Sequence, residues 1–180
     1  MKTKILFISL LFAFTIQVKA QSEKQKWSAG ISLASAHYMT EFQGKTLGGK
    51  YVYQTPRFNI SKYMFYNITL DVGISAAIFD SQAYTTFDGI ARYDFGTSDN
   101  NVVPYILLGG SFIKAKVLTP TVNIGVGNTF WFSQKYGFNL QVMYKYSEVK
   151  FESQYSHFYT SIGLVYSFSG RTLNPRLWED

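Results

Sequence analysis

Cysteine is absent from this 180-residue chain. That excludes disulfides, thiol catalysis and the lipidated cysteine of a lipoprotein. Proline is scarce, with 4 residues, which suits long strands because each proline removes a ladder donor. Beyond the first 20 residues, no segment supplies the ~18 consecutive apolar residues of a membrane-crossing helix. Helical periodicity, internal repeats and any shift in composition that would mark a domain boundary are also missing. Charge is modest, with Asp, Glu, Lys and Arg making up 16% of the chain. What the sequence has in excess is aromatic: Phe, Tyr and Trp reach 18%, beside 14 glycines. That composition suits strands and interfacial girdles.

The N-terminus reads as a secretory signal over residues 1–20. Lys2 and Lys4 form a basic region, Ile5 to Ile16 an apolar core, and Val18-Lys19-Ala20 a small-residue cleavage site before Gln21. An apolar core of 12 residues is short for a helix spanning ~30 Å of hydrocarbon. Removing Lys2, Lys4 and Lys19 leaves 14 basic residues against 11 acidic ones, a net +3 rather than +6. The basic pI is thus partly a targeting feature, and nucleic acid is not an expected partner.

From residue 27 onward, apolar and polar residues alternate in eight blocks separated by turn-forming residues. The first block runs from Trp27 to Met39 and the second from about Lys50 to Lys62, with Val52, Pro56, Phe58 and Ile60 on one face. Pro56 counts against the second as an interior strand. After a turn around Tyr63 to Asn67, the third sets Leu70, Val72, Ile74, Ala76 and Ile78 against Thr69, Asp71, Gly73, Ser75 and Ala77. The fourth ends at Phe95. The fifth, Val102 to about Ile113, is apolar on both faces, so its orientation is open. The sixth begins near Thr121 with Val122, Ile124, Val126, Phe130 and Phe132 outward, and Asn128 interrupts that face. The seventh carries Phe138 to Tyr146. The eighth covers Ser156 to Phe168.

The eighth block ends Ser161-Ile-Gly163-Leu-Val-Tyr166-Ser-Phe168, a polar-x-Gly-x-x-aromatic-x-aromatic pattern. It resembles the assembly signal on the last strand of bacterial outer-membrane barrels. Residues 21–168 as a whole resemble the small eight-stranded barrels of that membrane, the OmpA transmembrane domain and OmpX among them. The expected fold is all-β, an eight-stranded antiparallel up-and-down transmembrane β-barrel, with ~9–11 residues per tilted span. The resemblance implies location in the outer membrane, contact with outer-membrane lipid and lipopolysaccharide, and passage through the barrel-assembly machinery.

Orientation is expected from the aromatics. Trp27, Phe95, Phe130, Phe132, Phe138, Tyr166 and Phe168 fall at the periplasmic ends of the strands; Tyr38, Tyr51, Phe79, Tyr146 and Phe158 fall at the other rim. Inward-facing positions include Arg57, Asp71, Asp88, Arg92, Asp94 and Lys145, three charges of each sign. Turns centred near Met64 and Ser81 would set Arg57, Asp71 and Arg92 side by side. Buried charges must pair, so this set reads as a hydrogen-bonded filling, with an ion path as the competing role. Eight strands enclose room for side chains or one small ligand.

Enzymatic alternatives are thin. His37 and His157 meet on neighbouring strands near the outer rim, with Ser156, Ser161, Glu148 and Glu152 nearby. A hydrolase would need histidine, serine and an orienting acid together, whereas His37 follows the outward phase and His157 the inward one. The histidine–serine spacing of lipid A deacylases is also missing, because Tyr159 holds that position. No catalytic residue, metal site or cofactor is expected. The tail, residues 169–180, is too short for the peptidoglycan-binding domain that follows the barrel in OmpA proteins. Its Leu173, Pro175, Leu177 and Trp178 suggest docking on a periplasmic or membrane partner, or folding against the lower rim. The expected function is structural or as an accessory subunit of the envelope, the alternatives being a narrow porin-like channel and a lipid-A-modifying barrel enzyme.

Overall fold

The computed structural model describes residues 27–38, 41–42, 45–46, 51–78, 84–96, 99–114, 117–148 and 154–171, with side chains at 41–42, 45–46 and 51–55 excepted. The expected signal segment, Phe79, the Tyr51 ring, Glu152 and residues 172–180 lie outside that set. The elements are β1 (Trp27–Tyr38), β2 (Glu41–Phe42), β3 (Lys45–Thr46), β4 (Tyr51–Phe65), β5 (Ile68–Ala77), β6 (Thr85–Asp94), β7 (Val102–Lys114), β8 (Leu118–Trp131), β9 (Tyr136–Tyr146) and β10 (His157–Ser167). Eight long strands, each antiparallel to its sequence neighbours, close into one barrel when β1 pairs with β10; β2 and β3 form a separate small hairpin. Trp27 and Phe168 mark what is called here the lower end.

Burial is inverted relative to a protein folded in water. Val72 is 66% exposed, Ile124 62% and Leu108 60%, while Lys145 is fully buried and Arg57, Asp88 and Asn123 nearly so. Each long strand alternates between these two classes. An apolar outer belt around a polar lumen is the arrangement that hydrocarbon surroundings select. Alternation settles the open orientation of the fifth block: Val103, Tyr105, Leu107, Ser111 and Ile113 of β7 point inward, and Ile106, Leu108 and Phe112 outward.

Local chemistry modifies this pattern at three places. Between Gln54 and Arg57 the pairing of β4 slips by one residue against both β1 and β5. The extra residue makes a β-bulge at Thr55–Pro56, a setting in which a strand accepts proline. The alternation expected to place Val52 with Phe58 and Ile60 does not run through the bulge. Val52 pairs with Ala36, which is buried.

Second, the turn between β4 and β5 is centred on Tyr66 and Asn67, not near Met64. Both have positive φ, 47° and 63°, the signature of a two-residue type I′ hairpin. Third, β8 starts at Leu118, ahead of the expected Thr121, because the ladder with β7 already begins at the Lys114–Leu118 pair. On its outer face Asn128 sits opposite Pro104 and Leu140. The Asn128 Oδ1 is shielded from solvent and has no hydrogen-bond partner among the described residues.

Candidate functional site: the filled lumen

The lumen is built from short polar side chains and a few long charged or aromatic ones, stacked in tiers. At mid-height, Lys145 of β9 reaches across to β6, its Nζ 2.6 Å from Asp88 Oδ1 and 2.7 Å from Thr86 Oγ1. The same Asp88 oxygen accepts from Ser111 Oγ at 2.6 Å and Thr86 Oγ1 at 2.8 Å. Asn123 in turn donates to Ser111 Oγ. The Lys145 ammonium also lies 4.3 Å from the centroid of the Tyr159 ring, whose hydroxyl is 2.7 Å from Ser75 Oγ.

Arg57 links this tier to the next. Its Nε approaches Asp88 Oδ2 at 3.5 Å and its Nη2 donates to Asp71 Oδ1 at 3.4 Å. Room for the guanidinium comes from Gly73, where a Cβ would lie 2.7 Å from Nη2. The other Asp71 oxygen accepts from Ser61 Oγ at 2.6 Å and Asn59 Nδ2 at 2.7 Å. A lower tier pairs Arg92 Nε with Asp94 Oδ1 at 3.0 Å, with Thr69 donating to Asp94 Oδ2 at 2.6 Å. The Arg92 guanidinium covers the Tyr105 ring at 4.7 Å, and Asn139 donates to the Tyr105 hydroxyl at 2.9 Å.

All six charged residues expected in the lumen therefore project inward, but not in the expected register. Arg57 is opposite Ser75, Asp71 is opposite Ser61 and Ile90, and Arg92 is opposite Thr69. The later turn, with a one-residue irregularity between Tyr63 and Phe65, separates Arg57 from Asp71 along the barrel. Arg57 bridges that gap with the length of its side chain, and Arg92 pairs within its own strand. Sequence reasoning placed Asn59 and Ser61 on the face of Arg57 without assigning them a partner, and missed Thr86, Ser111 and Asn123. The signal for them was available: each follows the inward phase of its strand.

The upper end is closed by aromatic rings. His157 accepts or donates at both ring nitrogens, 2.7 Å from the Tyr84 hydroxyl and 2.7 Å from the Tyr155 carbonyl. With the carbonyl able only to accept, Nδ1 carries the proton and Nε2 accepts from Tyr84. The Tyr38 ring lies 4.7 Å from the His157 ring. Tyr38, expected in the outer-rim girdle, is 1% exposed; it continues the inward phase of Ala34 and Ala36 and so belongs to this cap. Tyr146 and Phe158 are exposed at that rim.

The histidines do not form a shared site. Tyr38 pairs with His157, and His37 pairs with Phe158, so the two imidazoles lie on opposite faces of the β1–β10 pair. Ser156 Oγ is engaged with the backbone of Ser147 at 2.9 and 3.2 Å, and Glu148 is exposed. Ser161 is buried in the lumen.

The last strand carries the aromatic pattern noted above. Tyr166 and Phe168 meet edge to face at 5.5 Å and Tyr136 joins Tyr166 at 5.3 Å. Gly163 packs against the Ile31 and Ser32 backbone, an approach that admits no side chain. Around the lower end Trp27, Phe95, Phe130, Phe132 and Phe138 are all exposed on the outer face, with Lys62 over the Trp27 ring at 5.0 Å.

No family model and no curated protein matches this sequence. Among solved structures, the N-terminal β-barrel domain of Pseudomonas aeruginosa OprF is similar, with TM-score 0.59 and 14% identity over 80% of this chain and 98% of that one. The outer membrane protein OprG from Pseudomonas aeruginosa is similar over 83% of this chain and 99% of its own, with TM-score 0.56 and 10% identity. The likeness is one of architecture: this chain has the fold of the small eight-stranded outer-membrane β-barrels.

Proposed function

We propose that the protein is an integral, closed barrel of the outer membrane, serving the envelope as a structural element or accessory subunit rather than as a channel or an enzyme. One observation carries this reading: the lumen is filled at every described tier. The Tyr38–Tyr84–His157 cap, the Lys145–Asp88–Arg57–Asp71 network and the Arg92–Asp94 pair together occupy the bore, and their charges balance. An ion path needs mobile, hydrated charges. Here each is held by several partners at low exposure, which favours rigidity over conduction.

Among the described residues the enzyme alternative lacks a nucleophile and a base in contact, since both nitrogens of His157 are engaged by Tyr84 and Tyr155. Under the proposal the outer belt contacts outer-membrane lipid and lipopolysaccharide, the last strand addresses the assembly machinery through Ser161, Gly163, Tyr166 and Phe168, and the tail, residues 169–180, offers a site to a periplasmic or membrane partner.

Planar-bilayer recording of the purified barrel tests the closed state. The expected record is indistinguishable from bare bilayer; resolved steps whose ion selectivity changes in Arg57→Ala would overturn the reading. Crosslinking in native outer membranes, with and without residues 172–180, then separates a lone structural barrel from an accessory subunit.

A further inference from the structure

After β10 the chain does not leave the barrel. Ser167 N donates to Lys135 O at 2.8 Å, Phe168 N to Trp27 O at 3.2 Å, and Arg171 N to Gln134 O at 2.8 Å, while Ser167 Oγ donates to Ser169 O at 2.6 Å. These bonds turn four residues beneath the β8–β9 connection. At the end of the turn, the Arg171 guanidinium lies 4.4 Å from the centroid of the Trp131 ring.

Trp131 is the last residue of β8 and faces the lumen, 7% exposed. Its indole is backed by Gly137, where a Cβ would come within 2.9 Å of the ring, and its backbone N–H donates to Asn101 O at 2.6 Å. The ring thus packs against a bare backbone and beneath a cation. We propose that Phe168–Arg171 forms a strap that closes the lower mouth of the barrel, with Arg171 latching it over Trp131.

Charge is retained in that position against a burial cost. Burial moves the Arg171 pKa down to about 10, Asp94 and Asp99 pull the other way and Arg92 adds to the lowering. The guanidinium thus stays charged at neutral pH, beside the acidic end of the lowest ion pair. A cation stacked on indole in a partly desolvated setting is a favourable contact. The inference rests on the barrel fold alone and is independent of whether the protein has a partner.

Acrylamide quenching of Trp131 fluorescence tests it, in the full-length chain carrying Trp27→Phe and Trp178→Phe so that Trp131 is the sole tryptophan. The barrel is reconstituted in lipid vesicles permeable to the quencher and compared with Arg171→Ala and with a chain ended after Phe168, all at equal sheet content by circular dichroism. The expected result is a quenching constant at least threefold higher in the truncated chain, a smaller rise in Arg171→Ala, and a red-shifted emission in both. Equal quenching in all three, whether high or low, would overturn the strap.

Discussion

Lys145 and Asp88 form an ion pair at 2.6 Å with neither side chain exposed, linking β9 to β6 through the centre of the barrel. A pair so placed is expensive to break from one side, because the survivor is left as an unmatched buried charge. Lys145→Met should cost about 3–5 kcal/mol. Adding Asp88→Asn should recover part of that loss, since Arg57 and Asp71 still balance each other. Urea unfolding in lipid vesicles reads both variants. A double variant less stable than Lys145→Met would contradict the assigned network.

Glycine positions offer a sharper contrast. The Tyr105 ring occupies the space a Cβ would take at Gly127, whereas at Gly89 nothing lies within 4 Å. Gly127→Ala should therefore displace Tyr105 from Arg92 and Asn139 and destabilise by about 1–3 kcal/mol. Gly89→Ala should stay within about 0.5 kcal/mol of the parent. The same unfolding assay distinguishes them.

Asn128 supplies a prediction in the opposite direction. Its carbonyl oxygen is shielded on the outer face with no hydrogen-bond partner among the described residues, beside Pro104 and Leu140. An unsatisfied amide group costs about 1–3 kcal/mol on mutational scales. Asn128→Leu should raise stability by a similar amount, visible as a higher urea midpoint at unchanged slope.

At the upper cap, His157→Ala removes the acceptor of Tyr84 and the donor to Tyr155. Leaving one buried polar group unmatched costs about 1–3 kcal/mol, and the vacated space below Tyr38 adds to it. Lipid A extracted from cells carrying this variant should match that from the parent by mass spectrometry. A modified lipid A species that vanishes with the variant would mean that His157 does chemistry.

The fold was legible in the sequence because alternation reports which face a side chain takes. Thr69, Asp71, Gly73 and Ser75 could be placed inward without any structure. Height along the barrel was less legible, since it depends on turn centres and bulges. Tyr66 is an untypical residue for the first position of a type I′ turn, so only Asn67 marked the place, and Pro56 read as a weak strand position rather than as a bulge. The displaced turn accounts for the altered register of Arg57 against Asp71, and the bulge shifts the positions that precede Arg57. Tyr38 was misplaced for a related reason: proximity to a strand end suggested the rim, whereas its phase with Ala34 and Ala36 put it inside. The partnership of Arg57 with Asp88 was illegible because β4 and β6 are not neighbours in the sheet and meet only through the bore.

The seam between β1 and β10 joins Ser28 to Ser167 and Tyr38 to His157, residues separated by almost the whole described chain. Every other ladder can form as a local hairpin while the polypeptide is still arriving. This one cannot. Until the last strand is delivered, β1 and β9 present two open edges with unpaired amides and carbonyls, a template for pairing with other chains. Productive maturation is thus timed by the final strand, and whatever shields those two edges until it arrives sets the yield of closed barrels.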